Sequence, residues 1–528
     1  MKEIVYIQAG SLANYTGTHF WNTQECYFTF EENAEDPLTS HDISFREGLT
    51  PTGIPTFCPR VLVIDHKRNF GTLAKTSALY APEEVGDGDE VSSLWNGSVL
   101  EYKQAPVPPS SLQNRTGESL EDPSPAGLTA EPTVAAHAVG KVRHWSDFCQ
   151  VDFIPRTSQQ IPDPMEWESP VVGWKAGQEL FSRYNEASDY ALMDSAFRLF
   201  LEECDNPQGI HIMNDTSNFG SFTYSLLTSF RDEFVKLPCL AVPFLSRQIS
   251  RHADGDPQGQ KAIVDDALYL RSLYDLSSMS IPIQPSSAWA RTAWGPTIDP
   301  QCDNPYHVSA IISAHLETVT LPLRLRGTQE DLASFSGQLS WRGSTPFAHL
   351  EGVFPVSTPL DIERGLYDFT MNHLGQPSSH QLTRRDVTRG LSSVNLSAYN
   401  ALSKSSPLQD VFVSRVHAPA YPIPTSFPPF FQASNPSAQG GDVASSGPHD
   451  AQIISSLNTN SGTAALFAEY AAFVEEYAKH PKNLDGIGID LDEMKDLVND
   501  LWTINDTLAD GESTHMQSDA DDLGEDDD

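Results

Sequence analysis

Short apolar segments of strand length alternate with helical patterns along the first two thirds of the chain. Strand-length segments lie at residues 3–7, 61–64, 210–213 and 240–244. Helical patterns lie at residues 189–205, 224–234 and 307–320. In the first of these helices, one face carries Leu192, Ala196, Leu199 and Phe200. Strands that alternate with helices indicate an α/β fold with a parallel sheet.

The C-terminal part of the chain has a different pattern. Residues 337–341 and 352–356 are predicted as strands of a second sheet. Residues 417–431 combine prolines with aromatic residues, which is typical either of an internal strap over a core or of a docking segment for another protein. An amphipathic helix with Ser461 as N-cap follows, and it either packs on its own domain or binds a partner.

Composition divides the chain further. Residues 83–140 are polar, acidic and rich in proline, so they are predicted as a mostly disordered insertion with one strand at 97–102. The predicted organisation is a first α/β block at 1–82, the insertion at 83–140, a second α/β block at 141–330, a smaller α+β domain at 331–437, a linker at 438–460, a helical region at 461–510 and a disordered acidic tail at 511–528.

Charge argues against a role in nucleic-acid binding. The 528 residues have a formal net charge of −38, and residues 484–528 hold sixteen acidic residues against Lys495 alone. Phosphate backbones are bound by clustered Lys and Arg, so the chain is predicted to bind no nucleic acid directly. The acidic tail is either a solubilising segment or a recruiter of basic partners.

Few signals point to an oxidising compartment, a membrane or classical catalysis. The six cysteines form no CxxC pair, there is no secretory leader, and no run of 18 apolar residues occurs. The sixteen histidines form no cluster at metal-ligand spacing, and the common hydrolase and phosphate-loop motifs are missing. No catalytic residues and no metal ligands are therefore predicted.

The most informative segment follows the first strand. Residues 10–17, GSLANYTG, form a glycine-containing turn where backbone amides and a helix N-terminus either receive a phosphate or make a tight packing turn. The surrounding residues 3–22 resemble the N-terminus of tubulins. The resemblance continues at residues 59–65, 204–221 and 231–234.

The wider pattern resembles one branch of the tubulin superfamily. Segments at 145–148 (WSDF), 177–181 (GQELF) and 421–424 (YPIP) are similar to the Misato family of tubulin-like proteins. The resemblance implies a tubulin/FtsZ-like nucleotide-binding fold with a smaller α+β domain. It also implies a vestigial nucleotide site, whose residues would be Gly10, Ser11, Asn14, Gly17, Asp65, Gly220 and Ser221.

Several positions depart from the tubulin pattern. The segment that matches the second phosphate loop, residues 215–221, has one glycine and begins with Asp215, whose carboxylate would repel a triphosphate. Lys67 stands where tubulins have a second acid, and it either pairs with phosphate or lies in a solvated loop. Asp265 replaces an expected Asn in the base-contacting segment.

The loop that would complete GTP hydrolysis in a polymer also departs from the pattern. The candidate segment, residues 327–332, lacks the expected Asn. Its acids Glu330 and Asp331 either position a water or stabilise a helix N-terminus.

These departures favour a protein that is not an enzyme and has no cofactor, with GTP kept as the alternative. The Misato resemblance implies a role in the partitioning and distribution of mitochondria and in mitochondrial DNA inheritance, at the cytosolic face of mitochondria and in the cytoplasm. Expected partners are proteins, such as tubulin, chaperonin or mitochondrial surface proteins. Two alternatives stay open, a slow GTPase that forms polymers and a cytosolic assembly factor for tubulin or its chaperonin.

Overall fold

The structure is a computed structural model. It describes residues 2–28, 37–49, 55–74, 142–163, 173–186, 191–249, 256–289, 298–328, 330–340, 343, 345–371, 373–374, 381–405, 412–431, 449–480 and 487–509. The predicted insertion at 83–140, its strand at 97–102 and the acidic tail at 511–528 lie outside these residues. Among the described helices, none has both the length and the apolar character that a membrane span requires.

The described residues contain two six-stranded sheets and two short two-stranded sheets. The strands are β1 (Glu3–Ala9), β2 (Phe45–Leu49), β3 (Pro55–Pro59), β4 (Val61–His66), β5 (Ser158–Ile161), β6 (Pro207–Asp215), β7 (Cys239–Phe244), β8 (Met279–Ser280), β9 (His349–Val353), β10 (Tyr367–Asp368), β11 (His373–Leu374), β12 (Gln381–Arg389), β13 (Phe412–Ala418), β14 (Tyr421–Pro422), β15 (Asp450–Ala451) and β16 (Ile453–Asn460). The two-stranded sheets are β2 with β3 and β14 with β15.

The helices pack on and between the sheets. They are α1 (Ser11–Glu25), α2 (Trp174–Glu186), α3 (Arg198–Glu202), α4 (Thr216–Glu233), α5 (Pro257–Leu276), α6 (Pro305–Thr320), α7 (Leu332–Leu339), α8 (Pro359–Glu363), α9 (Ser393–Ser405), α10 (Gly462–Ala478) and α11 (Leu491–Ala509).

The first sheet is parallel, with the strand order β5-β4-β1-β6-β7-β8. Every residue of β1 is buried, because both faces of the sheet are covered. Val5 and Ile7 face one core with α2, α4, α5, α10 and α11. Ile4 and Tyr6 face a second core with α1, α6 and the second sheet, as the alternation of side chains along a strand requires. This architecture confirms the predicted α/β fold.

The second sheet has the order β11-β10-β9-β16-β12-β13 and is antiparallel except for the parallel pair β12 and β13. The predicted linker at 438–460 is wrong over its last part, because β16 lies inside this sheet between β9 and β12. The strand predicted at 337–341 is also wrong, since α7 extends to Leu339. The strand predicted at 352–356 overlaps β9 by only two residues.

Helix positions also differ from the sequence prediction. The segment predicted as one helix at 189–205 begins with a π-helical turn at Leu192–Phe197 and continues as α3. Leu199, placed on the buried face by periodicity, is 43% exposed, whereas Leu192, Ala196 and Phe200 are buried. The π-helical turn changes the register of side chains, which a constant period of 3.6 residues does not describe.

The proline-rich segment is an internal strap, which confirms one of the two interpretations. Tyr421, Phe427 and Phe430 are buried in the second core. The Tyr421 hydroxyl and Thr23 Oγ1 lie 2.8 Å apart in a hydrogen bond, so the strap is fixed to α1. Helix α10 likewise packs on its own domain, with Leu466 and Tyr470 in the first core. Ser461 occupies its N-cap position but makes no side-chain capping bond.

A buried ion network joins α1, α6 and the second sheet. Glu317 on α6 accepts hydrogen bonds from Arg389 Nη1 at 2.6 Å and from Arg324 Nη2 at 3.3 Å. The same carboxylate accepts from Gln24 Nε2 at 3.0 Å and from the Tyr27 hydroxyl at 2.9 Å. Glu317 and Arg389 are fully buried. Because burial removes both charges from water, the ion pair is stable only with these hydrogen bonds around it.

Candidate functional site

The candidate site lies at the carboxyl edge of the first sheet, where β1 passes into α1. Ala9 at the end of β1 pairs with Asn214 near the end of β6, so Gly10 and Asp215 come side by side. Gly10 has φ 104° and ψ 167°, a conformation that is essentially restricted to glycine. A Cβ atom at Gly10 would lie 2.7 Å from Asp215 side-chain atoms. The backbone at residue 10 therefore lies so close to this carboxylate that only glycine fits there.

The N-terminus of α1 holds the carboxylate of Asp215. The Leu12 amide donates to Oδ2 at 2.9 Å, and the Ala13 amide donates to Oδ1 at 2.8 Å. A helix N-terminus attracts anions through its free amides and its dipole. In this protein the position where a phosphate would be received holds an aspartate of the same chain.

Burial changes the acidity of Asp215. Loss of hydration raises its pKa to about 7, and the nearby charge of Asp65 contributes in the same direction. The hydrogen bonds from the α1 amides lower the pKa and only partly compensate for burial.

Asp65 lies at the end of β4 and is enclosed by its own partners. Its carboxylate accepts from Asn14 Nδ2 at 3.1 Å, from Asn69 Nδ2 at 2.8 Å and from the His66 amide at 2.8 Å. Burial raises the pKa of Asp65, and these three hydrogen bonds oppose the shift. Lys67, where tubulins carry a second acid, is exposed to solvent. Asn14 and Asp65 therefore form a structural pair beside the N-terminus of α1.

The predicted loops at this edge are largely helical. The turn predicted at residues 10–17 is mostly helix, because α1 begins at Ser11, and Gly17 lies inside α1, where its backbone packs against the Gln8 side chain. Residues 215–221, which match the second phosphate loop of tubulins, do not form a loop, because β6 ends at Asp215 and α4 begins at Thr216. A polar run that contains a glycine is typical of a turn, but here it continues as a helix.

Two of the predicted site residues lie within α4 rather than in a loop. Gly220 is helical, and the nearest atoms to a Cβ built there are 3.8 Å away. Ser221 packs against Gly177 of α2. The structure therefore brings Gly10, Ser11, Asn14 and Asp65 together with Asp215. It assigns Gly17, Gly220 and Ser221 to helices.

The segment that resembles the base-contacting part of tubulin contains two buried carboxylates. Asp266 accepts hydrogen bonds from Thr216 Oγ1, from the Ser246 amide and hydroxyl, and from the Tyr470 hydroxyl at 3.5 Å. Asp265 Oδ1 is buried and has no hydrogen-bond partner among the described residues. Burial raises the pKa of each carboxyl to about 7, and the charge of Asp266 adds to the shift at Asp265.

Of the two acids near α7, Asp331 stabilises the helix N-terminus, as one of the two interpretations predicts, whereas Glu330 pairs with an arginine. Asp331 caps α7 by accepting from the Ser334 amide at 2.8 Å, and it forms an ion pair of 2.6 Å with Lys2. Glu330 forms an ion pair of 2.6 Å with Arg385.

An aromatic cluster beside α1 was not found by sequence reasoning. The ring of His19 lies 4.5 Å from that of Phe148 and 5.3 Å from that of Tyr306, measured between centroids. Burial lowers the pKa of His19 to about 3, so the imidazole is neutral. The sequence feature that could have indicated this cluster is the segment at 145–148, which contains aromatic residues and resembles the Misato family. It has no periodic pattern from which its contact with α1 could be predicted.

Comparisons with known proteins extend over most of the chain. The family model described as the Misato Segment II tubulin-like domain matches residues 2–118, and one described as a tubulin domain matches residues 134–325. Protein DML1 of Gibberella zeae is 36% identical over 66% of this chain and 67% of its own length. Protein dml1 of Aspergillus clavatus is 32% identical over 81% of this chain and 86% of its own length. The chain belongs to the Misato/DML1 family.

Similarity within the Misato/DML1 family reaches beyond fungi. Protein misato of Drosophila melanogaster is 28% identical over 63% of this chain and 62% of its own length. These matches confirm the resemblance inferred from the sequence, and the parallel six-stranded sheet fits the tubulin-domain match.

Proposed function

We propose that this Misato/DML1 protein is a tubulin-like factor without enzymatic activity that acts in the partitioning and distribution of mitochondria and in mitochondrial DNA inheritance. It acts at the cytosolic face of mitochondria and in the cytoplasm, through protein partners such as tubulin, chaperonin or mitochondrial surface proteins. The organelle role follows from what the family resemblance implies. The observation that supports independence from GTP is the carboxylate of Asp215 on the α1 amides.

A triphosphate would have to displace that carboxylate. Hydrogen bonds to a charged group contribute about 1.5–3 kcal/mol each, and Asp215 makes such bonds with Leu12 and Ala13. The incoming phosphate would also meet the negative charge of Asp65 in a buried setting, where like charges repel more strongly than in water. A slow GTPase would require Asp215 to leave the site, and no described contact supplies a second position for it.

Nucleotide content tests the biochemical half of the proposal. The purified full chain is denatured, the released nucleotides are separated by chromatography, and the native protein is titrated with GTP and Mg²⁺. We expect no bound nucleotide and no measurable GTP affinity. Stoichiometric GTP or GDP would contradict the proposal and favour the slow GTPase.

Loss of the protein in its own host tests the cellular half. We expect uneven mitochondrial distribution at division and fewer mitochondrial DNA foci, both restored by the wild-type chain. The variant Asp194→Ala, which changes an exposed acid outside the site, should restore the mitochondrial distribution and the DNA foci as well. Normal mitochondria and normal DNA foci in the absence of the protein would contradict the proposed role.

A further inference from the structure

The contact between Asp215 and α1 differs from the other aspartate caps of this fold. Asp256 caps α5 by accepting from the Gly259 amide at 3.1 Å, and Asp331 caps α7 by accepting from the Ser334 amide three residues ahead. Asp215 occupies the N-cap position of α4 but makes no side-chain bond to α4. Its carboxylate instead reaches α1, which lies about 200 residues earlier in the chain.

The backbone around Asp215 is shaped for this contact. Gly10 takes a conformation reserved for glycine, and its Cα lies so close to Asp215 that a Cβ would overlap the carboxylate. Two consecutive amides, those of Leu12 and Ala13, donate to the two oxygens of one carboxylate. Free amides at a helix N-terminus bind phosphate or sulfate in other proteins.

We propose that Asp215 is the resident anion of this site. Its carboxylate supplies, from within the chain, the negative charge that the N-terminus of α1 would otherwise take from a bound phosphate. Asp215 thus determines which ligands the site binds. The wild-type protein does not bind phosphate-bearing ligands there, and removal of the carboxylate creates a binding site for inorganic phosphate or sulfate. This inference rests on the proposed independence from GTP and gives it a specific cause.

The geometry sets what the emptied site would accept. Asp215→Ala leaves the Leu12 and Ala13 amides without their acceptor and frees space beside Gly10. A tetrahedral oxyanion presents several acceptor oxygens, so it can accept from both amides at once. Asp65 stays nearby with its charge, which favours a small inorganic anion over a triphosphate.

The test compares full-length wild type, Asp215→Ala and the control Asp256→Ala at about pH 8.5, because the pKa of Asp215 is raised to about 7 and its carboxyl is ionised at this pH. Thermal unfolding is followed with increasing phosphate, and with chloride at matched ionic strength. Asp215→Ala should be less stable than wild type in chloride and should regain stability in phosphate. Its apparent affinity for phosphate, read from the shift in Tm and from ³¹P line broadening, should exceed that of wild type by about tenfold or more. Asp256→Ala should show the same difference between phosphate and chloride as wild type, because its cap is local and exposed and phosphate stabilises all folded variants to some extent.

Two results would overturn the inference. One is wild type binding phosphate as tightly as Asp215→Ala, and the other is a folded Asp215→Ala that gains no more stability from phosphate, relative to chloride, than wild type gains. If Asp215→Ala does not fold in chloride, refolding yield becomes the readout, and equal yields in both salts also overturn the inference. These results are separate from the cellular test, since absent mitochondrial defects would contradict the proposed role and leave the anion result unchanged.

Discussion

Gly10→Ala is the sharpest test of how the candidate site is built. The substitution adds one methyl group at a position with φ 104° and ψ 167°, where that methyl would lie 2.7 Å from Asp215 Cβ, Cγ and Oδ2. Backbone strain in this region costs about 1–3 kcal/mol for a residue other than glycine. Displacement of the carboxylate adds the loss of hydrogen bonds to charge at Leu12 and Ala13, about 1.5–3 kcal/mol each.

Because relaxation recovers part of these terms, Gly10→Ala should lower the free energy of unfolding by about 3–5 kcal/mol. The assay is urea unfolding followed by tryptophan fluorescence, for which the fully buried Trp21 of α1 is a local probe. The matched control is Gly220→Ala, since a Cβ there meets nothing closer than 3.8 Å and the helical site tolerates alanine. A Gly10→Ala protein as stable as the Gly220→Ala control would refute the close approach of Gly10 to Asp215.

Three further perturbations test other parts of the structure. Folding raises the pKa of Asp265 from 3.8 to about 7, so between these pH values the folded state keeps a proton that the unfolded state releases, and stability should fall as the pH rises. Asp265→Asn should raise Tm at pH values above 7, and Tm should then depend less on pH in thermal scans. Arg389→Met leaves Glu317 buried without the cation nearest to it and should lower the free energy of unfolding in urea by about 3–5 kcal/mol. The double variant with Glu317→Gln should lose less stability than the sum of the two single variants. Phe427→Ala should lower the free energy of unfolding by about 3–5 kcal/mol because it leaves a cavity under the strap, whereas Tyr421→Phe should lower it by about 1 kcal/mol through one lost hydrogen bond. Equal losses of stability in calorimetry would contradict the packing role of the strap.

The sequence was most informative where local pattern alone decides structure. A short β-prone run that ends before a glycine predicts β1, and a continuous apolar run between polar neighbours predicts β4 as a strand buried on both faces. The sequence places Gly10 in a turn that either receives a phosphate or packs tightly, and the structure shows that its conformation requires glycine. The partner that imposes the requirement, Asp215, was not identified, because it is distant in the chain and its contact leaves no periodic signal.

Strand β16 shows the opposite case. Its sequence, IISSLNTN, is rich in Ser, Asn and Thr, which favour loops in isolation. In the fold these side chains are buried and find partners on other elements, as Ser455 does with His315 at 2.7 Å and Thr459 with Thr383 at 2.7 Å. Burial of polar residues with distant partners is a tertiary property, so composition assigned this central strand to a linker.

The ion network around Glu317 has a consequence for shortened forms of the protein. Its acid comes from α6, whereas its shortest counterion, Arg389, comes from the second sheet, about 70 residues later. A product of premature termination before Arg389 would retain the buried carboxylate. It would lose both this cation and the strap, whose Pro419 and Ala420 carbonyls accept hydrogen bonds from Arg389. Such fragments should be recognised as misfolded and cleared by the cell, so truncating alleles of this gene should behave as recessive losses rather than as interfering proteins.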